Sequence, residues 1–247
     1  GELSPEDIPS ELRYYTLGEG VWRSTDVWPP AGTTEQSWYF AESGGLIRET
    51  PTTTETASDS YSVDFTASTI DSNRWWTQLG EDVLYDDRAA RDELLLTYTS
   101  APLDAAMRVT GTPVVHLHVA STHDGGAFFV YLEDVAPDGR VTYVTEGQFR
   151  AIHRQMSDET PPYTHFGPYH TFNRADGEPL TPGEVTSVSF SFIPTSVLFR
   201  AGHSIRIAVG GQDASVFRRI PETGAPVIDI HRSAAHPSHV ELPVASD

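Results

Sequence analysis

The run Ser187-Val188-Ser189-Phe190-Ser191-Phe192 alternates polar and apolar side chains, the period of a strand with one face on a core. Ser204-Ile205-Arg206-Ile207-Ala208-Val209 and His239-Val240-Glu241-Leu242 repeat it. Val115, Leu117 and Val119 share one face of a further strand. Segments 128–135 and 141–152 flank Pro137-Asp138-Gly139, where Pro presets the turn and Gly takes a positive φ, so a hairpin is predicted. Further strands are expected at 13–17, 37–41, 61–66, 94–98 and 227–231, with helix only in a short piece near 86–93. The 19 glycines and 18 prolines punctuate the whole length. Many strands, few helices and frequent turns point to an all-β fold, a β-sandwich or jelly roll. Segment 42–60 reads as a long polar surface loop and 156–182 as a second irregular stretch. With no repeat and no linker, the 247 residues read as a single domain, 1–36 forming its entry segment.

Charge narrows the function. There are 35 acidic residues against 16 basic ones, a formal net charge of -19, and every basic residue is Arg. Phosphate neutralisation needs the opposite sign, so nucleic-acid binding is excluded, and so is attraction to an anionic membrane surface. No stretch approaches the roughly 18 apolar residues of a membrane helix. The absence of cysteine excludes disulfides, thiol catalysis and zinc–thiolate sites. It does not fix the compartment, for which the cytoplasm is slightly favoured.

No motif for autonomous catalysis is present. Gly-x-Ser-x-Gly, a phosphate-binding loop and His-Glu-x-x-His are all missing. His116 and His118 project from one strand face, a spacing metal ligands can use, with His123 nearby. Because Val115, Leu117 and Val119 take the inner face, the two His point outward, and no metal site is expected. His231, His236 and His239 read as hydrogen-bonding residues of turns. The pairs Asp86-Asp87 and Glu133-Asp134 read as solvated faces or strand-end partners for Arg. Trp75-Trp76 stands in a polar stretch and is either a loop anchor or a contact surface. Trp22 and Trp28 read as anchors of the N-terminal segment.

Several segments, in order, carry a resemblance. Arg13-Tyr14-Tyr15, Trp22-Arg23 and Trp28-Pro29-Pro30 come first, then Leu96-Thr97-Tyr98-Thr99-Ser100-Ala101-Pro102-Leu103 and Val109-Thr110-Gly111. Leu132-Glu133-Asp134-Val135-Ala136-Pro137-Asp138-Gly139-Arg140 and Thr145-Glu146-Gly147 follow. Pro182-Gly183-Glu184-Val185, the run from Pro194 to Ile207, and His236-Pro237-Ser238-His239-Val240-Glu241-Leu242-Pro243 complete the series. Together they resemble the C-terminal domain of the cocaine esterase-like hydrolases, the family that includes X-Pro dipeptidyl-peptidases and α-amino acid ester hydrolases.

The resemblance implies a galactose-binding-domain-like jelly-roll β-sandwich that follows an α/β-hydrolase domain in the same parent, a serine hydrolase of esters, amides or X-Pro peptides. The nucleophile, acid and His of such a parent lie in that preceding domain, so no catalytic residue and no cofactor is carried onto this chain. The partner implied is that hydrolase domain, with homo-oligomer assembly compatible. Asp87-Arg88 matches the family's Asp-x-Arg stretch, and Trp75 and Trp76 stand where an apolar run lies near the acyl pocket, which implies a substrate-pocket or domain-contact role. The chain departs from the family at Asp124-Gly125-Gly126-Ala127-Phe128 and Gly210-Gly211-Gln212-Asp213. Asp213, Arg218 and Arg219 are expected to form ion pairs. The competing readings are a carbohydrate-binding module with Trp75, Trp76 and Tyr85 as platform, and a free-standing binding protein.

Overall fold

The computed structural model describes residues 11–54, 56–69, 74–80 and 82–246; the side chains of Trp76, Gln78 and Leu79 lie outside the description. Its strands are β1 (Leu12–Thr16), β2 (Val21–Thr25), β3 (Thr34–Ala41), β4 (Gly45–Ile47), β5 (Ser58–Ser62), β6 (Leu96–Ser100), β7 (Met107–Gly111) and β8 (Val114–Ser121). They continue as β9 (Ala127–Val135), β10 (Val141–Arg150), β11 (Thr186–Ser191), β12 (Thr195–Phe199), β13 (Ser204–Gly210), β14 (Val227–Ser233), β15 (His236–Pro237) and β16 (His239–Val244). The one α-helical turn described, α1, spans Ala89–Asp92. Among the described residues no helix is long and apolar enough to cross a membrane.

The strands form an all-β sandwich. One layer runs β10-β9-β13-β6, and the other contains β3, β16, β8 and β14, with β11 on β8 and β5 on β14. Strand β4 makes the corner, antiparallel to β3 and parallel to β6. The alternation read from sequence supplies the inner faces. Phe128, Val130 and Leu132 of β9 and Ile205, Ile207 and Val209 of β13 meet Val115, Leu117 and Val119 of β8 and Val240 and Leu242 of β16 in one core. At the corner Phe40 stacks on Tyr98, ring centroids 4.1 Å apart.

Some expectations need correction. Segment 42–60 is not all loop: it contains β4, whose Leu46 enters the core, and the start of β5. Three residues are too few to show a period. The strand expected at 61–66 ends at Ser62, because its register is set by pairing to β14, Tyr61 opposite Ile228. Strand β12 escaped the periodicity because its polar residue points inward: Ser196 Oγ lies 2.9 Å from Thr16 Oγ1 and 2.8 Å from Thr110 Oγ1 in the interior. Hydroxyls that satisfy one another are tolerated in a core, and pattern reading assigns them to water.

The β9–β10 hairpin forms as predicted. Gly139 sits at φ +90° and its N–H donates to the Ala136 carbonyl at 2.9 Å, while Arg140 N–H donates to Asp138 Oδ1 at 3.1 Å. A Cβ on Gly139 would meet nothing within 4 Å, so substitution there strains only the backbone. Gly139→Val is expected to cost about 1–2 kcal/mol, read as a lower urea midpoint with an unchanged slope. An unshifted midpoint would show that the turn carries no strain.

Candidate functional site

Seven consecutive β9 residues, Ala127 to Glu133, are buried, so this strand is covered on both faces. The second cover comes from described residues between β5 and β6, Arg88 and Leu95 among them, together with Phe217. Phe217 lies against Phe129 at 4.9 Å, and Trp75, from the 3-10 turn Arg74–Leu79, meets Phe217 edge-on at 5.3 Å. The Arg74 guanidinium lies 4.5 Å over the Trp75 ring and its Nε donates to Glu146 Oε1 at 2.9 Å. Trp75 is therefore half-buried on the outside of the β9–β10–β13 layer; the Trp76 side chain lies outside the described residues. A Cβ on Gly211 would meet Val63 Cγ2 at 2.5 Å, so glycine there lets the covering segment close on the sheet.

Beneath this cover lies a polar layer. Arg88 Nε stands 2.8 Å from Glu133 Oε1 with the guanidinium 4.2 Å over the Tyr131 ring. Arg206 donates to Asp92 at 2.8 Å. Burial pushes the Glu133 carboxyl well up, opposed by the Arg88 charge, and burial also raises Glu146, opposed by Arg74. Glu133 is thus not a solvated carboxylate; it is fully enclosed. Asp134, on the opposite face, pairs with His203 Nδ1 at 2.9 Å. Asp87 accepts the N–H groups of Ala89 and Val141, both at 3.0 Å, and these bonds lower its pKa. Asp213 makes no ion pair with Arg218 or Arg219. It is buried and accepts from Thr69 N–H at 3.1 Å and Thr69 Oγ1 at 2.5 Å, while Arg218 pairs with Glu222 and Arg219 lies 3.8 Å over Phe65. These groups fasten the covering segment and present no nucleophile.

The other layer carries the histidines. His116 and His118 point away from the core, as the alternation predicts, and tertiary pairing adds a partner. His239 is the cross-strand neighbour of His116, and the two rings stack at 4.6 Å. His118 lies 5.5 Å from His236, which lies 5.7 Å from His231. Burial and the His239 ring lower the His116 pKa; burial and His236 bring His118 down to about 4. Burial and the Glu241 charge raise Glu35. Ser189, His116 and Glu241 stand in line, with Ser189 Oγ 2.9 Å from His116 Nδ1 and His116 Nε2 3.5 Å from Glu241. Ser189 lies in mid-strand, paired with His116 in the β8–β11 ladder, and lacks the strand–helix elbow that presents a nucleophile beside oxyanion donors.

Exposed aromatic surface gathers elsewhere than at Trp75. On the β1–β2 hairpin Trp22 is 71% exposed, touching Tyr15 edge-on, so it anchors nothing. Trp28 does anchor, meeting Tyr14 at 5.5 Å and reaching Thr112 Oγ1 through Nε1 at 3.4 Å. Beside the hairpin runs a groove of about 820 Å³, lined by Leu12, Tyr14, Leu17, Trp28 and Phe166 among others. The sequence signal was the aromatic density of residues 14–28, but spacing alone does not separate an anchoring Trp from an exposed one.

The fold is an all-β sandwich with an apolar groove beside its first hairpin. Residues 7–241 match the family described as the X-Pro dipeptidyl-peptidase C-terminal non-catalytic domain, and the chain belongs to that family. It is 49% identical over 235 residues to a protein named as a serine esterase from Mycobacterium bovis, covering 94% of this chain and 37% of that protein. It is 27% identical over 257 residues to the cocaine esterase of a Rhodococcus species, covering 95% and 42% respectively. Among solved structures it is similar to an aminopeptidase from a marine-sediment Thaumarchaeota archaeon, with TM-score 0.75, 21% identity and coverage of 95% and 40%. An α-amino acid ester hydrolase gives TM-score 0.75 at 19% identity, covering 94% and 40%. The chain thus spans well under half the length of these relatives.

Proposed function

We propose that this domain is the non-catalytic module of a serine hydrolase of esters, amides or X-Pro peptides, seated against an α/β-hydrolase domain of the same parent, with Trp75 and Trp76 facing that domain or its substrate pocket. The family match over residues 7–241, combined with relatives of which the chain spans 37% and 42%, carries the reading. Two structural features support it. The groove flanked by the Trp22-bearing hairpin is apolar surface of the kind that domain interfaces cover. The turn bearing Trp75 and Trp76 is tied to the sheet by the Arg74–Glu146 ion pair and by Trp75 against Phe217, which suits a wall that must keep its shape. The carbohydrate reading is weaker: Arg74 already lies over the Trp75 ring that would serve as platform.

The test uses the chain alone and the longer polypeptide with its hydrolase domain. The isolated chain is expected to hydrolyse no p-nitrophenyl ester and no X-Pro dipeptide above background. In the two-domain protein, Trp75→Ala with Trp76→Ala should raise KM while kcat changes little. Turnover by the isolated chain that disappears in Ser189→Ala would overturn the accessory role. An unaltered KM would remove the two Trp from the pocket.

A further inference from the structure

We propose that His116, His239 and Glu241 form a binding site for a divalent transition-metal ion of the zinc type on the outer face of the sheet. Their ligand atoms all lie within 4.8 Å of one another. His116 Nε2 is 3.5 Å from Glu241 Oε2, and His239 Nε2 is 3.9 Å from Glu241 Oε1. Two ligands on one zinc sit about 2.0–2.2 Å from the metal, hence about 3–4 Å apart. The two imidazoles stack 20° from parallel, so binding tilts their Nε2 edges together as the part-exposed Glu241 side chain turns in.

Each ring is held through its far nitrogen, Nδ1, which leaves Nε2 on the side of Glu241. His239 Nδ1 lies 2.8 Å from the Pro237 carbonyl, a pure acceptor, so Nδ1 carries the proton and the Nε2 lone pair is free. His116 Nδ1 is held 2.9 Å from the Ser189 hydroxyl, leaving its Nε2 toward Glu241. That Nε2 is buried, and its polar neighbour, Glu241 Oε2 at 3.5 Å, is too far for a good hydrogen bond, a cost that a metal would remove. Outer hydrogen bonds on the far nitrogen of each His are what metal sites use to set ligand direction.

Backbone pairing builds the site. His116 and His239 are directly opposite in the β8–β16 ladder, so the two imidazoles come from paired strands rather than from a loop. Two imidazoles and one carboxylate favour zinc over calcium or magnesium, which take all-oxygen shells. Three protein ligands leave a fourth position for water or another ligand. A formal net charge of -19 raises the local concentration of cations.

Calorimetric titration of metal-stripped protein with zinc chloride should give one zinc per chain, with cobalt(II) showing the visible bands of a tetrahedral site. His116→Gln, His239→Gln and Glu241→Gln should each weaken binding at least tenfold. Ser189→Ala, which frees the His116 ring, should weaken it by about 10–100-fold. His118→Gln with His236→Gln should leave the affinity unchanged. Melts without metal confirm that each variant folds, and Glu241→Gln changes the most exposed ligand should a histidine variant fail. No binding at millimolar zinc, an unaltered affinity in Glu241→Gln, or loss of binding in the His118 and His236 variant would each overturn the assignment.

Discussion

Glu133→Ala lowers the unfolding free energy by about 3–5 kcal/mol, the cost of leaving a buried guanidinium without its counter-charge. The Arg88 side chain is 5% exposed and that of Glu133 is 0%, so neither can recover its partner's charge from water. Arg88 cannot shed its proton, and Asp92 already serves Arg206. The reverse variant behaves differently. In Arg88→Met the stranded group is a carboxyl that burial already pushes up, and it escapes by binding a proton. The folded state then holds a proton that the unfolded state lacks at neutral pH. Such a group with a raised folded pKa destabilises the fold above its unfolded pKa, by about 1.4 kcal/mol per pH unit up to its folded pKa. The penalty of Arg88→Met relative to the parent is therefore largest near neutrality and shrinks as pH falls toward about 4.3, the usual Glu value. Urea melts of both variants between neutral and mildly acid pH read this directly. A flat difference would show that Glu133 has the same protonation in the folded parent and in folded Arg88→Met.

The second large effect falls on the corner of the sandwich. Phe40→Ala is expected to cost about 3–5 kcal/mol, as for other enclosed aromatics. Phe40 and Tyr98 are both fully buried and stack nearly parallel, with 13° between their planes. They stand on β3 and β6, the strands that β4 joins by opposite pairing modes. The ring thus fills the place where one layer passes into the other. A drop of the thermal midpoint by only a degree or two would show that the corner relaxes to fill the void. In neither variant is the β9–β10 turn expected to change.

The accessory role rests on segments that share an order with a family, and these were legible because each keeps its local pattern. The trio His116, His239 and Glu241 proposed as metal ligands was not. His116 was visible as a strand residue turned outward. His239 reads as a hydrogen-bonding turn residue; it does bond the Pro237 carbonyl, but it opens β16, and His231, given the same reading, lies within β14 with neither ring nitrogen hydrogen-bonded among the described residues. That His116 and His239 face each other follows only from the register of β8 against β16, more than a hundred residues apart in the chain. Glu133 was misread for a related reason. Its alternation places it on the outer face, which in most sheets means water, but here that face lies under the segment bearing Arg88 and Trp75.

The all-β class, the inner face of most strands, the hairpin at Gly139 and the want of a nucleophile elbow could all be read along the chain. Each depends on neighbours within a few residues, through the two-residue strand period or the φ preference of glycine. Which outer faces are covered, which Trp is exposed, and which histidine meets which carboxylate were decided by tertiary structure. The physical reason is that burial and pairing of a side chain depend on distant strands, whose registry no local period encodes.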